Sequence, residues 1–269
     1  YTLVYTLSLH DALPICHVTA NRERAEDAIE TAADRGADVV ALPEIFNVGY
    51  FAFDTYQRHA ESLSGPTLSR MSDLAADHGV GILAGSIVED LAATDSETPA
   101  EEGLANTSVF FDRDGHRRAV YRKHHLFGYE SAEAELLVPG ESLGLAEFEG
   151  TTIGMTTCYD LRFPELYRDI AEAGATVVFV PSAWPYPRVE HWQVLPRARA
   201  IENQSFVATV NGAGSFEDAT LLGRSTVYDP WGTPLASTGD EPDLVVADVD
   251  TDQVNRVREE FPAWHDRRR

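Results

Sequence analysis

Two segments of the chain repeat the same order of residue types, and this repeat limits the available folds more than any other feature. Residues 32–44 (AADRGADVVALPE) and 170–182 (IAEAGATVVFVPS) each run from a helix end through a Gly-Ala step into a Val-Val strand that stops near a proline. Strands that follow helices in this way belong to sheets covered by helices. The repeat therefore predicts two similar halves that pack sheet against sheet.

Helical and strand patterns alternate over the rest of the chain as well. Helices are predicted at 19–35, 66–79, 164–173 and 190–203, and strands at 37–42, 81–88, 105–111, 117–121, 151–157, 175–180, 205–210, 225–229 and 243–248. No linker rich in Pro, Gly or Ser separates the halves. The pattern predicts an α/β fold in a single domain over residues 17–269.

The charge balance is strongly acidic and almost free of lysine. Asp and Glu total 44 against 21 Lys and Arg, which gives a net charge of −23, and Lys123 is the single lysine. Such a surface stays soluble in strong salt, where counter-ions screen its self-repulsion. It disfavours binding to nucleic acid or to anionic membranes, and no apolar run is long enough to span a bilayer. These features predict a cytoplasmic protein of a halophile, of haloarchaeal type; the alternative is an ordinary acidic protein.

Cysteine and histidine usage argues against disulfides and metals. Cys16 and Cys158 are the two cysteines and form no CxxC motif, so neither a disulfide framework nor a cysteine zinc site is expected. His124 and His125 are adjacent, and on a strand their side chains would point to opposite faces. We therefore expect no metal and no cofactor.

The first sixteen residues, YTLVYTLSLHDALPIC, differ in composition from the rest of the chain. They lack its acidic character, and they have neither the basic start nor the long apolar core of a signal peptide. Two interpretations are open for residues 1–16: an atypical leader of artefactual origin, or an irregular first strand.

Cys158 is the first candidate for chemistry. It lies in the segment GMTTCYDLRFPEL, where a β-rich stretch turns into a helix that opens at Pro164. A side chain at such an elbow is exposed at the carboxyl end of a strand, where α/β proteins place their sites. A nearby helix N-terminus would favour the thiolate. The alternative is a small buried hydrophobic residue.

Lys123 and Glu44 also lie at strand ends. A lysine kept where arginine replaces all others provides a compact ammonium that can stand against an oxyanion; otherwise it is a chance survivor on the surface. Glu44 follows an apolar strand, where a carboxylate either pairs with a cation or has a raised pKa suited to a base. A carboxylate, an ammonium and a thiol together describe acyl transfer through a thioester.

Three segments carry a resemblance to a known family. They are Leu42-Pro43-Glu44, Arg122-Lys123-His124 and the stretch TCYDLRFPE at 157–165. In this order they resemble the signature segments of the nitrilase superfamily, the carbon–nitrogen hydrolases, and the form CYDxRFPE is closest to omega-amidase-like amidases. The likeness runs from about residue 18 to 250. It implies an αββα sandwich of the carbon–nitrogen hydrolase type, in agreement with the two halves.

The resemblance also assigns roles to these residues. Glu44 would be the general base and Cys158 the nucleophile. Lys123 would steady the tetrahedral intermediate, and the backbone N–H of Tyr159 would complete the oxyanion site.

A further family glutamate, seven residues before the glycine of a Pro-Gly pair, matches Glu133. It would orient the lysine or the substrate. Glu130 and Glu135 are close enough in sequence to compete for this assignment. The N-terminal segment departs from the family, whose first strand normally ends in Gln, and this departure concerns the strand and not the site.

Substrate-binding residues are harder to assign. Arg162 follows the nucleophile by four residues and can hold a substrate carboxylate by a bidentate pair; the alternative is a salt bridge to Glu165 or Asp160. Trp184 and Trp192 either line the pocket or belong to the core.

We interpret the chain as a cysteine-dependent amidase that cleaves a non-peptide C–N bond of a small amide and releases ammonia or an amine. An N-carbamoyl amidohydrolase or a nitrilase on the same scaffold is the alternative. A papain-like hydrolase is disfavoured because no histidine lies in a comparable motif, and a non-catalytic binding protein because all three catalytic residue types are present. The resemblance implies a homodimer or larger homo-oligomer. The predicted substrate is an amide that also carries a carboxylate, such as the ω-amide of a dicarboxylic acid.

Overall fold

Strands and helices alternate along the computed structural model, which describes residues 2–7, 17–129, 131–216 and 219–268. The α-helices are α1 (Val18–Asp34), α2 (Tyr56–His59), α3 (Pro66–His78), α4 (Glu133–Leu136), α5 (Pro164–Glu172), α6 (Val189–Asn203) and α7 (Asp252–Glu260). The strands are β1 (Thr2–Leu7), β2 (Val39–Ala41), β3 (Gly81–Leu83), β4 (Ile87–Asp90), β5 (Leu104–Phe111), β6 (Arg117–Arg122), β7 (Gly144–Phe148), β8 (Thr151–Met155), β9 (Val177–Ser182), β10 (Phe206–Asn211), β11 (Ala213–Phe216), β12 (Ala219–Leu222), β13 (Thr226–Tyr228), β14 (Pro234–Ser237) and β15 (Leu244–Val249). Short 3-10 helices cover Phe53–Thr55, Cys158–Arg162 and Pro262–Trp264.

Two mixed sheets form the centre of the described structure. The first has the strand order β15-β1-β2-β3-β5-β4, with β6 also paired to β5, and the second has the order β14-β13-β10-β9-β8-β7. The Val-Val strands of the internal repeat are β2 and β9, and they hold equivalent positions. Strand β2 is parallel to both of its neighbours, β1 and β3, and β9 is parallel to both β8 and β10. The predicted likeness of the two halves is therefore present in the topology.

Each central strand is apolar on both faces, because each sheet is covered on both sides. Successive side chains of a strand point to opposite faces. Val39 and Ala41 of β2 pack with Phe179 of β9 in the layer between the sheets. Val40 faces the other way, into a cluster with α1 and α3, and Val178 faces α5 and α6. The layers run helix, sheet, sheet, helix, which confirms the predicted αββα sandwich.

The outer helices begin and end where the sequence predicts. Helix α3 starts with Pro66 in its first turn and ends at Gly79, whose φ is 62°, and α5 likewise opens with Pro164. Proline is tolerated in the first turn of a helix, and glycine adopts the left-handed conformation that ends one. All four predicted helices lie within one residue of the observed bounds. None of the helices described here combines the length and the apolar character that crossing a membrane requires.

The strand predicted to follow α3 is wrong in its extent, because it is two strands, β3 and β4, separated by a turn. At this turn Gly85 has a φ of 43°, and a side chain there would meet the carbonyl oxygen of Pro43 at 2.0 Å. The turn also supplies Ser86, whose hydroxyl accepts the N–H of Ile45 at 2.8 Å. The turn therefore fixes the backbone on both sides of Glu44.

Part of the atypical leader is an inner strand. Strand β1 lies between β15, to which it is antiparallel, and β2, to which it is parallel. The origin of residues 1–16, artefactual or native, stays a prediction. Residue 1 and residues 8–16, with Cys16, lie outside the described part of the chain.

Candidate active site

Strand ends from both sheets meet at one place. Glu44 follows β2 and Lys123 follows β6 in the first sheet, whereas Cys158 follows β8 in the second. These residues are 2%, 1% and 8% exposed, in that order. Lys123 is therefore not a surface residue, and the two halves contribute to one site: the first supplies the charged groups and the second the thiol.

Lys123 is held between two carboxylates. Its Nζ lies 2.9 Å from Oε1 of Glu44, and 2.8 and 2.9 Å from the two carboxylate oxygens of Glu133. The ammonium also stands 5.6 Å from the ring centroid of Tyr50, which adds a favourable cation–π contact. With both carboxylates ionised, the cluster carries one positive and two negative charges.

Glu133 lies on α4, a single helical turn that sequence reasoning missed. Its Oε2 accepts hydrogen bonds from the hydroxyl of Tyr50 at 3.0 Å and from the N–H of Phe127 at 2.8 Å. These bonds fix the carboxylate against the lysine. Glu135 of the same turn is exposed, and Glu130 lies outside the described residues. Of the described candidates, Glu133 is the one that the fold brings to the lysine.

Asn106 on β5 completes the cluster, and sequence reasoning missed it. Its Nδ2 donates to Oε1 of Glu44 at 2.9 Å and to Oε1 of Glu133 at 3.2 Å. Its backbone carbonyl accepts the N–H of Lys123 at 2.9 Å. Its Oδ1 is buried and has no hydrogen-bond partner within the described part of the chain. The sequence feature that could have identified Asn106 is the polar triplet Asn-Thr-Ser within a strand that is otherwise apolar.

Cys158 lies at the elbow that the sequence predicts. Its φ is 47°, a conformation that is uncommon outside glycine and that clusters at functional sites. Thr157 and Asp160 form a capping box at the start of the 3-10 helix, and Asp160 Oδ2 accepts the N–H of Thr157 at 2.9 Å. Asp160 also accepts hydrogen bonds from the hydroxyl of Tyr121 and the N–H of His125. The turn that presents the thiol is therefore fixed to the first sheet.

Burial and charge set the resting protonation of the site. Burial raises the pKa of Glu44 above its ordinary value, although Lys123 acts in the opposite direction. Burial, followed by the charge of Glu44, also raises the pKa of the Cys158 thiol well above its usual range. Burial disfavours the charged form of Lys123, but Glu133 and Glu44 outweigh it and raise the pKa of the ammonium.

The expectation that a helix N-terminus would favour the thiolate is therefore wrong for the resting site. Burial is the largest cause of the shift and raises the pKa of the thiol, which favours its protonated form. The charge of Glu44 is, after burial, the next largest cause of the raised pKa of the Cys158 thiol. Glu44 is therefore an acceptor for the proton of the Cys158 thiol, and its raised pKa means that it binds a proton more tightly than an ordinary carboxylate.

Comparison with known proteins assigns the chain to a family. Residues 12–259 match the family described as carbon-nitrogen hydrolase. The chain belongs to the carbon–nitrogen hydrolases. It is 39% identical over 236 residues to a 2-oxoglutaramate amidase of Paenarthrobacter nicotinovorans, with 86% of this chain and 79% of that protein covered. It is 33% identical over 256 residues to the omega-amidase NIT2 of Homo sapiens, with 92% and 89% covered.

Solved structures support the same assignment. Nit3 of Saccharomyces cerevisiae, described as a member of branch 10 of the nitrilase superfamily, superposes with a TM-score of 0.86 at 29% identity, covering 97% of this chain and 94% of that one. An amidase variant from Nesterenkonia sp. AN1, with acrylamide added to its active-site cysteine, gives 0.81 at 30% identity, covering 97% and 98%. The resemblance inferred from the three segments is confirmed, and the chain is an amidase-type hydrolase.

A pocket of about 190 Å³ lies over Cys158 of this hydrolase. Most of its wall is aromatic and comprises Tyr50, Phe51, Phe53, Phe127, Tyr129, Tyr159 and Trp184. Among the described lining residues the charged side chains are Arg162 and Arg188. An apolar wall with a few placed polar groups is typical of a site for a small molecule.

The substrate residues named from the sequence fall into two groups. Tyr159, Arg162 and Trp184 line the pocket, whereas Trp192 is 1% exposed and packs in the core against Trp184. The guanidinium of Arg162 lies over the rings of Tyr159 and Trp184, at 5.5 and 4.9 Å. Among the described residues it forms no ion pair within 4.0 Å, so the alternative salt bridge is absent there. Sequence reasoning missed Arg188.

A second cluster of possible ligand atoms lies in a surface turn. The ligand atoms of Asp112, Asp114 and His116 are within 4.8 Å of one another. However, one oxygen of Asp112 already accepts the N–H groups of Asp114 and His116, and the other pairs with Arg118. These contacts describe a capped turn.

Proposed function

We propose that this carbon–nitrogen hydrolase cleaves the ω-amide of a small dicarboxylic acid through a thioester on Cys158. The proposal is carried by one observation: Lys123 Nζ lies within 2.9 Å of two buried carboxylates, in the same site as Cys158. One carboxylate is enough to balance an ammonium. The second leaves a negative charge that a proton can neutralise, and in our proposal Glu44 takes that proton.

In the first half-reaction, Glu44 accepts the thiol proton while Sγ of Cys158 bonds to the carbonyl carbon of the amide. The carbonyl oxygen becomes an oxyanion, which the ammonium of Lys123 and the N–H of Tyr159 stabilise. Glu44 then gives its proton to the amide nitrogen, the C–N bond breaks, and ammonia leaves. The acyl group remains on Cys158 as a thioester.

In the second half-reaction, the ionised Glu44 takes a proton from water while the water oxygen adds to the thioester carbonyl. The tetrahedral intermediate collapses, the C–S bond breaks, and the thiolate recovers a proton from Glu44. The free acid leaves. Throughout both steps Glu133 remains a carboxylate that orients Lys123, held by its bonds to Tyr50 and Phe127.

The substrate class rests on Arg162 in this proposal. Its guanidinium lines the pocket and forms no ion pair with any described carboxylate, and its planar fork can pair with both oxygens of a substrate carboxylate. The relatives named 2-oxoglutaramate amidase and omega-amidase support this class. The acrylamide adduct on the active-site cysteine of the Nesterenkonia amidase supports a reactive thiol.

We further propose that the enzyme works as a homodimer or larger homo-oligomer in the cytoplasm of a halophile. An exposed apolar patch supports association: Ile201, Trp231 and Phe261 are 49%, 44% and 55% exposed, and the rings of the last two lie 6.0 Å apart. The net charge of −23 and the single lysine support the habitat.

Ammonia release across matched substrates tests the reaction class. We expect release from glutaramate, and much slower or no release from the ureido acid and the nitrile of similar length. Arg162→Gln should reduce the preference for glutaramate over pentanamide, which has no carboxylate. Faster release from the nitrile or the ureido acid would replace the proposed class, and a preference that survives Arg162→Gln would make this arginine structural.

A further inference from the structure

We propose that Arg188 is a second specificity-determining residue, which binds the substrate carboxylate together with Arg162. The inference rests on the proposed function and adds a residue to it. Arg188 lines the same pocket, 26 positions further along the chain. The two guanidinium groups would then define a substrate class, the small ω-amides that end in a carboxylate.

The backbone of Arg188 is held in place. The residue caps the start of α6, and its carbonyl accepts the indole N–H of Trp184 at 3.1 Å and the backbone N–H of Trp192 at 3.1 Å. Its guanidinium carbon lies 5.5 Å from the ring centroid of Phe127, which is itself part of the pocket wall. A side chain that starts from a fixed backbone and rests on an aromatic face loses little freedom when it binds a ligand.

The charge of Arg188 has no acidic partner in the described structure. No carboxylate among the described residues lies within 4.0 Å of it, and the described lining of the pocket contains no Asp or Glu. In a chain with 44 acidic residues, several other half-buried arginines have such partners. Arg122, for example, pairs with Glu89 at 2.7 Å. The pocket therefore contains two arginines without an acidic partner among the described residues, and Arg162 in addition contacts Nδ1 of His191 at 3.2 Å.

The charge balance of the whole site explains why two arginines are useful. The cluster around Lys123 carries a net charge of −1 when both of its carboxylates are ionised, and it would repel an anionic substrate from Cys158. One arginine would only offset that charge, whereas Arg162 and Arg188 together reverse it. A carboxylate has about four acceptor sites, so two guanidinium forks can bind it at once.

A comparison of Arg188→Gln with the wild type tests the inference. For each enzyme, kcat and KM are measured for glutaramate and for pentanamide. We expect Arg188→Gln to reduce the ratio of kcat/KM values for the two amides by about 10- to 100-fold, mainly through KM for glutaramate, as for the loss of a charge-assisted hydrogen bond. Arg188→Lys should lose less, because it keeps the charge but not the fork. Arg197→Gln is the matched control, because Arg197 lies exposed on α6 and lines a separate cavity.

If Arg188→Gln is less stable than the wild type, a binding measurement provides a second test that does not depend on turnover. Calorimetric titration of glutarate into Cys158→Ala should show weaker binding in the double variant Cys158→Ala/Arg188→Gln. An unchanged specificity ratio, or equal glutarate binding, in a folded Arg188 variant overturns the role of Arg188. A wild-type enzyme that releases no ammonia from glutaramate overturns the proposed function instead, so the two failures are distinguishable.

Discussion

Two buried ion clusters lie side by side on the same strands and differ in their charge balance. At the end of β6, Arg122 pairs with Glu89 of β4 through two hydrogen bonds of 2.7 and 2.8 Å. The next residue, Lys123, pairs with Glu44 and Glu133. The first cluster joins one cation to one carboxylate, and the second joins one cation to two. Arg122 therefore belongs to a cluster with balanced charge. The adjacent residue, Lys123, belongs to a cluster with one extra negative charge.

The polar side chains that surround the two clusters also differ in how completely they are hydrogen-bonded. Thr107 donates to one oxygen of Glu89 at 2.6 Å, and Thr94 donates to the other at 2.9 Å. Asn106, the residue before Thr107, donates to both carboxylates of the second cluster but leaves its own Oδ1 without a partner in the described structure. A balanced and fully bonded cluster is suited to holding strands together. The unbalanced cluster keeps a carboxylate that can take up a proton.

The largest effect should come from removing the extra carboxylate charge. We expect Glu44→Gln to lower kcat by about 10²–10⁴-fold, the usual contribution of a general base. Its free energy of unfolding should change little, because Lys123 still pairs with Glu133. Ammonia release and urea unfolding, measured on the same preparations, check both statements.

Glu89→Gln is the matched change in the balanced cluster, and it should do the reverse. It leaves Arg122 without its carboxylate partner, and breaking a buried pair in this way costs about 3–5 kcal/mol of stability. Below its unfolding transition the variant should retain most of its kcat. If Glu89→Gln lost activity as strongly as Glu44→Gln while still folded, the division between the two clusters would be wrong.

Replacing the basic residue of each cluster by the other basic residue type should have the next largest effect. We expect Lys123→Arg to lower kcat by about 10²–10³-fold, as for the loss of an oxyanion donor, because a planar guanidinium does not replace a compact ammonium. Arg122→Lys, one position earlier, should reduce stability modestly and leave kcat close to that of the wild type. Near-normal activity in Lys123→Arg would make the single lysine a coincidence.

A smaller effect, visible in the pH profile, should follow Asn106→Ala. Hydrogen bonds to a carboxylate favour its charged form, and Asn106 donates one to Glu44. Burial already raises the pKa of Glu44, and losing the amide should raise it further. Because the base must be ionised to act, the acidic limb of kcat/KM should move to higher pH. A limb that stays in place or moves to lower pH would contradict this role.

The smallest effect on the site itself should come from salt, which screens exposed charges far more than buried ones. The Debye length falls from about 30 Å at 0.01 M to about 3 Å at 1 M, and with a net charge of −23 we expect the melting temperature to rise over this range. The difference in kcat between Glu44→Gln and the wild type should persist at both salt concentrations. A melting temperature that is flat or falls would count against a halophilic origin.

Most of the fold could be predicted because its elements carry local patterns. The Val-Val strands of the repeat became equivalent inner strands, and the helices that open at Pro66 and Pro164 start where proline predicts. The short elements α4, β7 and β14, of four or five residues each, are too brief to show a periodicity. The turn at Gly85 was missed because its cause, the approach of the Pro43 carbonyl, is a tertiary contact.

The site could be predicted only in part for a similar reason. Glu44, Lys123 and Cys158 each follow a strand, so their meeting at one end of the sandwich follows from the topology. Which polar residue of β5 faces which cluster depends on its register with β6, in which Thr107 is opposite Arg122, and Asn106 could not be assigned without it. The pKa of the thiol is raised chiefly by burial, which depends on the tertiary structure and could not be predicted from the local sequence.

The central claim is that Glu44 activates Cys158 to form a thioester, and intact-mass spectrometry of the enzyme quenched during turnover of glutaramate tests it most directly. The wild type should gain the mass of the glutaryl group, with the adduct on the peptide that contains Cys158. Cys158→Ala should gain no mass, and Glu44→Gln should form the adduct at a rate lower by about 10²–10⁴-fold. Ammonia release by the wild type with no adduct under any quench, or an adduct that forms equally fast in Glu44→Gln, would contradict the claim.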